Sequence, residues 1–164
     1  MYAPASLRFG GLGGLCAVIL LAQGCAGTAS RSDGGSEVGL EGRRADVVVA
    51  ALSQMGTPYV YGGNRPGEAL DCSGLVQHAH AAAGLTIPRR STAQQAAARP
   101  VSGASPQPGD LVFFKTGPSQ YHVGIMVDRD RFVHASTSKR QVRLANLGRD
   151  YWQQRFIGAG TYLE

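Results

Sequence analysis

The chain has 164 residues, a net charge of +5 from 16 Lys and Arg against 11 Asp and Glu, and a hydrophobic fraction of 43%. That length predicts one ordinary domain with a single core, and no second is expected. The arginines are scattered and form no aromatic-interleaved basic stripe, so the charge does not argue for a nucleic-acid partner and reads as a solvated basic surface or one suited to a polyanionic neighbour.

In chain order, the apolar run from Gly11 to Ala22 follows Arg8, is too short to span a bilayer comfortably, and ends in small residues. Residues 1–24 therefore read as an export signal. The segment Leu21-Ala22-Gln23-Gly24-Cys25 resembles a bacterial lipoprotein box, whose cysteine is lipidated after cleavage. It departs from that pattern in carrying Ala22, not a large aliphatic residue, three positions before Cys25. Lipidation of Cys25 and plain secretion both predict export. Residues 25–44 are Gly, Ser, Thr and charge without apolar periodicity, which predicts a flexible tether with a reach of roughly 25 Å. There is no internal repeat, and the domain proper is expected over 45–164.

Val47, Val48, Ala51, Leu52 and Met55 recur at helical spacing, with Gly56 as the stop. Tyr59-Val60-Tyr61-Gly62-Gly63 opens a loop. A second helix follows, with Asp71 as N-cap, Leu75, Val76, Ala79, Ala82 and Ala83 on its apolar face and Gly84 at its end. A short helix runs through Gln94 and Gln95, and Pro106, Pro108 and Gly109 mark a turn. Strands are predicted at 110–114, 121–127, 131–136, 141–145 and 155–163. Helices first and strands after is the α+β pattern, with N-terminal helices packed on an antiparallel sheet of about five strands.

Three cysteines are present, and only Cys72 lies in the body of the chain. An exported domain with one thiol forms no internal disulfide, so the residue needs an explanation. Cys72 is expected in the first turn of its helix, where unpaired N–H groups and the macrodipole favour thiolate over thiol. The competing reading is a small buried hydrophobe.

Period-two alternation sends Val123, Ile125 and Val127 to one face of their strand and His122 to the other, and sets His134 opposite Val133 and Ala135. A three-residue loop at Asp128-Arg129-Asp130 would place His122 across from Ser136 and diagonal to His134, so that the imidazoles meet; a two-residue loop would send them to opposite faces. Thiol catalysis needs such a set: one imidazole carries the proton and a second group orients it. Zinc on Cys72, His122 and His134, with His78 and His80 in reserve, is a rival, but none has standard ligand spacing, and residues two apart on a helix do not share a face.

Six blocks in order, Gly56-Thr57-Pro58-Tyr59-Val60-Tyr61-Gly62-Gly63, Asp71-Cys72-Ser73-Gly74-Leu75-Val76, Pro88 to Gln95, Pro108 to Phe114, His122-Val123-Gly124-Ile125 and the Trp152 region, resemble the NlpC-type cell-wall peptidases. The resemblance implies a papain-like α+β domain that cuts peptidoglycan stem peptides, with Cys72 as nucleophile, His122 as base and His134 as the third, orienting residue. It also sets Tyr59 near the nucleophile as an oxyanion donor, with Asp71 and Ser73 in the same turn, and it requires neither metal nor organic cofactor. Tyr61 stands where the family often has Trp. Expected partners are peptidoglycan, a membrane through lipid on Cys25, and a regulatory adaptor; the expected state is a monomer, and the expected place the cell envelope. Three alternatives stay open: a non-hydrolytic wall-binding lipoprotein, an amidase or acyltransferase on the same scaffold, and a lytic effector aimed at another cell's wall.

Overall fold

The computed structural model describes residues 34–102 and 105–163. The expected signal over 1–24, the lipidation site Cys25 and the first part of the expected tether lie outside the described residues.

Helix α1 (Gly34–Leu52) begins well before the expected Ala45, so residues 34–44 are helical and not a tether. Two contacts explain this. Leu40 packs against the core, and Arg44 donates from Nη1 to the Pro108 carbonyl at 2.8 Å and to Asp110 Oδ1 at 2.9 Å. Neither gives a visible period in so polar a stretch. A short hairpin, β1 (Asn64–Arg65) and β2 (Ala69–Leu70), leads into α2 (Cys72–Ala82). Helix α3 (Ser91–Ala97) and β3 (Arg99–Pro100) precede the main strands β4 (Leu111–Gly117), β5 (Gln120–Met126), β6 (Arg131–Ser136) and β7 (Gln141–Asn146). A single-turn helix, α4 (Asp150–Gln153), then leads to β8 (Phe156–Thr161).

The sheet is antiparallel throughout, in the order β3-β8-β4-β5-β6-β7. It has six strands where five were expected; β3, two residues on the edge, is too short to show alternation. The α+β class holds, and alternation divides the core as the sequence implies. Leu111, Phe113, Val123, Ile125, Val133 and Ala135 face α1 and α2, where Val47, Ala51, Leu75, Val76 and Ala79 meet them. Val112, Phe114, Met126 and Phe132 form a second cluster on the other face, closed by Trp152 from α4. Gly124 is required there, since a Cβ would collide with the Phe132 ring.

Strands β5 and β6 pair through Ile125↔Val133 and Met126↔Phe132. Continued, that register spans a three-residue loop and sets His122 across from Ser136 and diagonal to His134. Asp128 closes the loop, accepting from the Arg131 N–H at 2.8 Å and from the Arg131 guanidinium at 2.6 Å.

Candidate active site

Asp71 caps α2, its Oδ1 accepting from the Gly74 N–H at 2.6 Å, so Cys72 is the first helical residue. The helix start is seated on the preceding loop. A Cβ on Gly74 would collide with the Gly63 carbonyl, and Asp71 Oδ2 accepts from the Gly62 N–H at 3.0 Å. Arg89 completes the clamp by gripping the same carboxylate with both nitrogens, at 3.0 and 2.8 Å, while also donating to Ser73 Oγ at 2.8 Å and the Gly63 carbonyl at 3.1 Å. Bidentate pairing of this kind fixes geometry as well as charge. Gln94, fully buried, adds bonds from Nε2 to the Ser73 and Pro88 carbonyls at 3.0 and 2.8 Å.

Composition and spacing alone give Arg89 and Gln94 no role, although both lie in one of the motif blocks. Their signal is a cation and an amide spaced to reach back to the helix start. Asp71 is saturated by this network. Ser73 is buried with its hydroxyl between Asp71 and Arg89, so its side chain belongs to the clamp and not to the substrate surface where it was expected.

The two imidazoles meet. His122 Nε2 lies 2.8 Å from His134 Nδ1, with the rings nearly perpendicular at 89°. Both are buried, at 7% and 4% exposure. Trp152 roofs the pair, stacking on His122 at a 5.8 Å centroid separation and 21° and meeting His134 edge-on at 5.0 Å, with Phe132 against His134 and Phe114 against His122. Because Nε2 of His122 is engaged by His134, Nδ1 is the nitrogen left to act on a neighbour. The Val123 peptide N–H, next along β5, is directed at the Cys72 sulfur, which ties the thiol to the strand carrying His122.

The electrostatics correct one expectation. A helix N-terminus was expected to hold Cys72 as thiolate. Instead its thiol is pushed up to about 11, first by burial and then by the Asp71 carboxylate, and the N–H groups of Val123, Ser73 and Cys72 offset only part of this. Desolvation and a fixed negative neighbour outweigh the dipole. Burial likewise pushes His122 down to about 4 and His134 to about 3, the latter also through His122 and Arg143. All three groups are thereby biased toward their neutral forms.

A groove of about 1000 Å³ runs over these groups, lined among others by Tyr59, Tyr61, Asp71, Cys72, Arg90, His122 and His134. Tyr59 is held by its N–H to the Arg140 carbonyl at 2.9 Å, with the Arg140 guanidinium 5.7 Å from its ring centre; burial, then Cys72 and Asp71, raise its phenol above the usual value. For the zinc alternative, no group of three or more His, Cys, Asp or Glu among the described residues is placed to hold a metal ion. His80 lies in the core with Nδ1 2.9 Å from the Val76 carbonyl, and His78 lines a separate surface hollow.

Comparison with known proteins converges. The model of the NlpC/P60 family matches residues 56–161. The chain is 41% identical over 117 residues to a gamma-DL-glutamyl hydrolase of Bacillus subtilis, covering 68% of this chain and 28% of that protein. It is 34% identical over 114 residues to the murein DD-endopeptidase MepH of Escherichia coli, covering 66% and 42% respectively. The chain thus spans less than half the length of these curated relatives. Among solved structures, an NLP/P60-family protein similar to lipoprotein from Staphylococcus aureus superposes with a TM-score of 0.68 at 34% identity over 76% of this chain and 42% of that one. The peptidoglycan hydrolase RipB of Mycobacterium tuberculosis gives a TM-score of 0.66 at 29% identity, over 77% and 68%.

Proposed function

We propose, from the premise that this chain belongs to the NlpC/P60 family, that it is a cysteine peptidase that hydrolyses amide bonds in the stem peptides of bacterial peptidoglycan. The observation that carries the reading is the pairing of His122 and His134 at 2.8 Å under Trp152, with Cys72 at the helix start on the same groove. With a proton on Nε2 donated to His134, His122 keeps Nδ1 open as base. It takes the thiol proton as Cys72 attacks the scissile carbonyl, and the tetrahedral oxyanion is met by the Cys72 N–H and the Tyr59 hydroxyl. His122 then protonates the departing amine. Water, deprotonated by the same ring, releases the acyl-enzyme and restores the neutral pair. His134 holds the ring in place and, being uncharged, stabilises the imidazolium less than a carboxylate would. Arg90, exposed on the groove, offers a cation to a carboxylate of the stem. No metal or organic cofactor enters this sequence.

The same proposal assigns residues 1–24 to an export signal and Cys25 to lipid attachment, which would hold the domain at the cell envelope as a monomer beside its wall substrate. Labelling with a radioactive fatty acid, lost in Cys25→Ala, tests the anchor. For the activity, the full chain and its Cys72→Ala variant are incubated with purified peptidoglycan and the released fragments weighed by mass spectrometry. Stem-peptide cleavage that requires Cys72 supports the proposal and names the bond. Wall binding without fragments from either protein overturns it in favour of a binding module.

A further inference from the structure

The groove is larger and more neutral than the reaction centre needs. At about 1000 Å³ it sits at the top of the range for small-ligand sites, with room for more than the two residues flanking a scissile bond. Its charges are few: Asp71 is spent on Arg89, which leaves Arg90 as the cation of the lining. Most of the rest is hydroxyl and amide, with Thr92, Gln120 and Ser138 as examples, together with tyrosines.

Two of those tyrosines are presented, not packed. Tyr61 is 90% exposed, yet it stands on a rigid turn in which the Gly62 N–H is bound by Asp71 and the Gly63 N–H by the Val60 carbonyl at 2.9 Å. Tyr151, 49% exposed, is fixed by the Arg155 guanidinium 4.0 Å from its ring centre and by Trp152 edge-on at 4.9 Å. A large aromatic displayed to water from a backbone that is itself held offers a contact surface whose burial by a ligand is favourable.

Neutral hydroxyls around exposed tyrosine faces complement one chemistry in particular: a pyranose, with apolar C–H faces and a rim of hydroxyl and acetamido groups. We infer that the groove contains a saccharide subsite, with Tyr61 as its principal platform, that takes the N-acetylated sugar to which a stem peptide is joined. This deepens the hydrolase reading and rests on it: the preferred substrate is the sugar-bearing stem, not the free peptide.

The test uses the full chain and two compounds, the disaccharide-stem monomer and the identical stem peptide after an amidase has removed the sugar. The sugar-bearing compound is expected to have a kcat/KM about five- to tenfold higher, the gain from one good aromatic contact. In Tyr61→Ala that ratio falls toward one, whereas in Tyr61→Phe, which keeps the ring face, it persists. Equal kcat/KM for the two compounds in the wild-type protein overturns the subsite. So does a ratio unchanged by Tyr61→Ala.

Equilibrium binding of both compounds to Cys72→Ala repeats the comparison without turnover. If neither compound is cleaved by the wild type, it is the hydrolase reading that fails, and the ratio of the two dissociation constants still decides the subsite.

Discussion

The two walls of the site are built on opposite physics. The start of α2 is polar and cross-linked: Asp71, Arg89, Ser73 and three backbone groups share one network, and a partly buried ion pair sets the angle at which Cys72 leaves the loop. The β5–β6 wall carries its two imidazoles inside an aromatic shell of Phe114, Phe132 and Trp152, with one 2.8 Å bond between them. One wall positions by charge and the other by excluding water. Both push the groups they carry toward their neutral forms, and in the proposed reaction the thiol would therefore give its proton to a neutral ring as it attacks.

The sharpest break of that picture is removal of the proton-transfer partners. Cys72→Ala and His122→Ala should each lower kcat by at least about 10³-fold while leaving the melting temperature nearly unchanged. His134→Ala should cost less, about 10- to 100-fold, because it removes orientation and not the proton carrier. Equal losses for the two histidines, measured by stem-peptide release, would mean that they act as one inseparable unit.

The polar wall is tested next by Arg89→Ala. It strands Asp71 beside the thiol and should cost about 2 kcal/mol in a denaturant titration, less than a fully buried pair because the Arg89 side chain is 34% exposed. It should also slow alkylation of Cys72, since the uncompensated carboxylate pushes the thiol higher still. On the aromatic wall, Trp152→Ala admits water to the imidazoles and should move the acid limb of kcat/KM upward from about 4 toward the ordinary histidine value near 6.5. An unmoved limb would show that the roof contributes packing alone.

Wild-type pH dependence sharpens the same contrast. His122 and His134 titrate lower folded than unfolded, so the unfolded chain binds more protons from about 6.5 down to about 4 for His122 and about 3 for His134. Their contribution to stability is present above about 6.5 and lost as pH falls through that window. Cys72 has the reverse sign: raised from 9.0 to about 11, it stabilises fully below 9 and loses that contribution as pH climbs toward 11. Iodoacetamide alkylation of the folded protein should accordingly keep rising through pH 9–11; a plateau at neutral pH would restore the thiolate that the helix start alone suggested. The smallest effect expected is from Arg140→Gln, which removes a guanidinium 5.7 Å from the Tyr59 ring and should lower kcat about twofold with little change in KM.

How much of this was legible beforehand varies residue by residue. Helix α2, its Asp71 cap and the alternation of β4 to β6 follow from period, because that is a local rule of backbone geometry; the facing of His122 with His134 stayed conditional on a three-residue turn, which the β5–β6 register supplies. The early start of α1 was invisible, since Arg44 earns its helical place through Pro108 and Asp110, more than sixty residues away. The roles of Arg89 and Gln94 were hidden for the same reason, and α4 is a single turn whose value is to deliver Trp152.

What the sequence determined by itself is the inventory and the local directions: a lone cysteine at a helix start, a histidine opposite the apolar face of each of two successive strands and an α+β order of elements. Only the tertiary structure decided the protonation of that inventory. A pKa depends on everything within several ångströms, and burial against distant segments, Asp71 beside the sulfur and Trp152 over the rings, overrode the one local influence, the helix dipole, that the sequence displays.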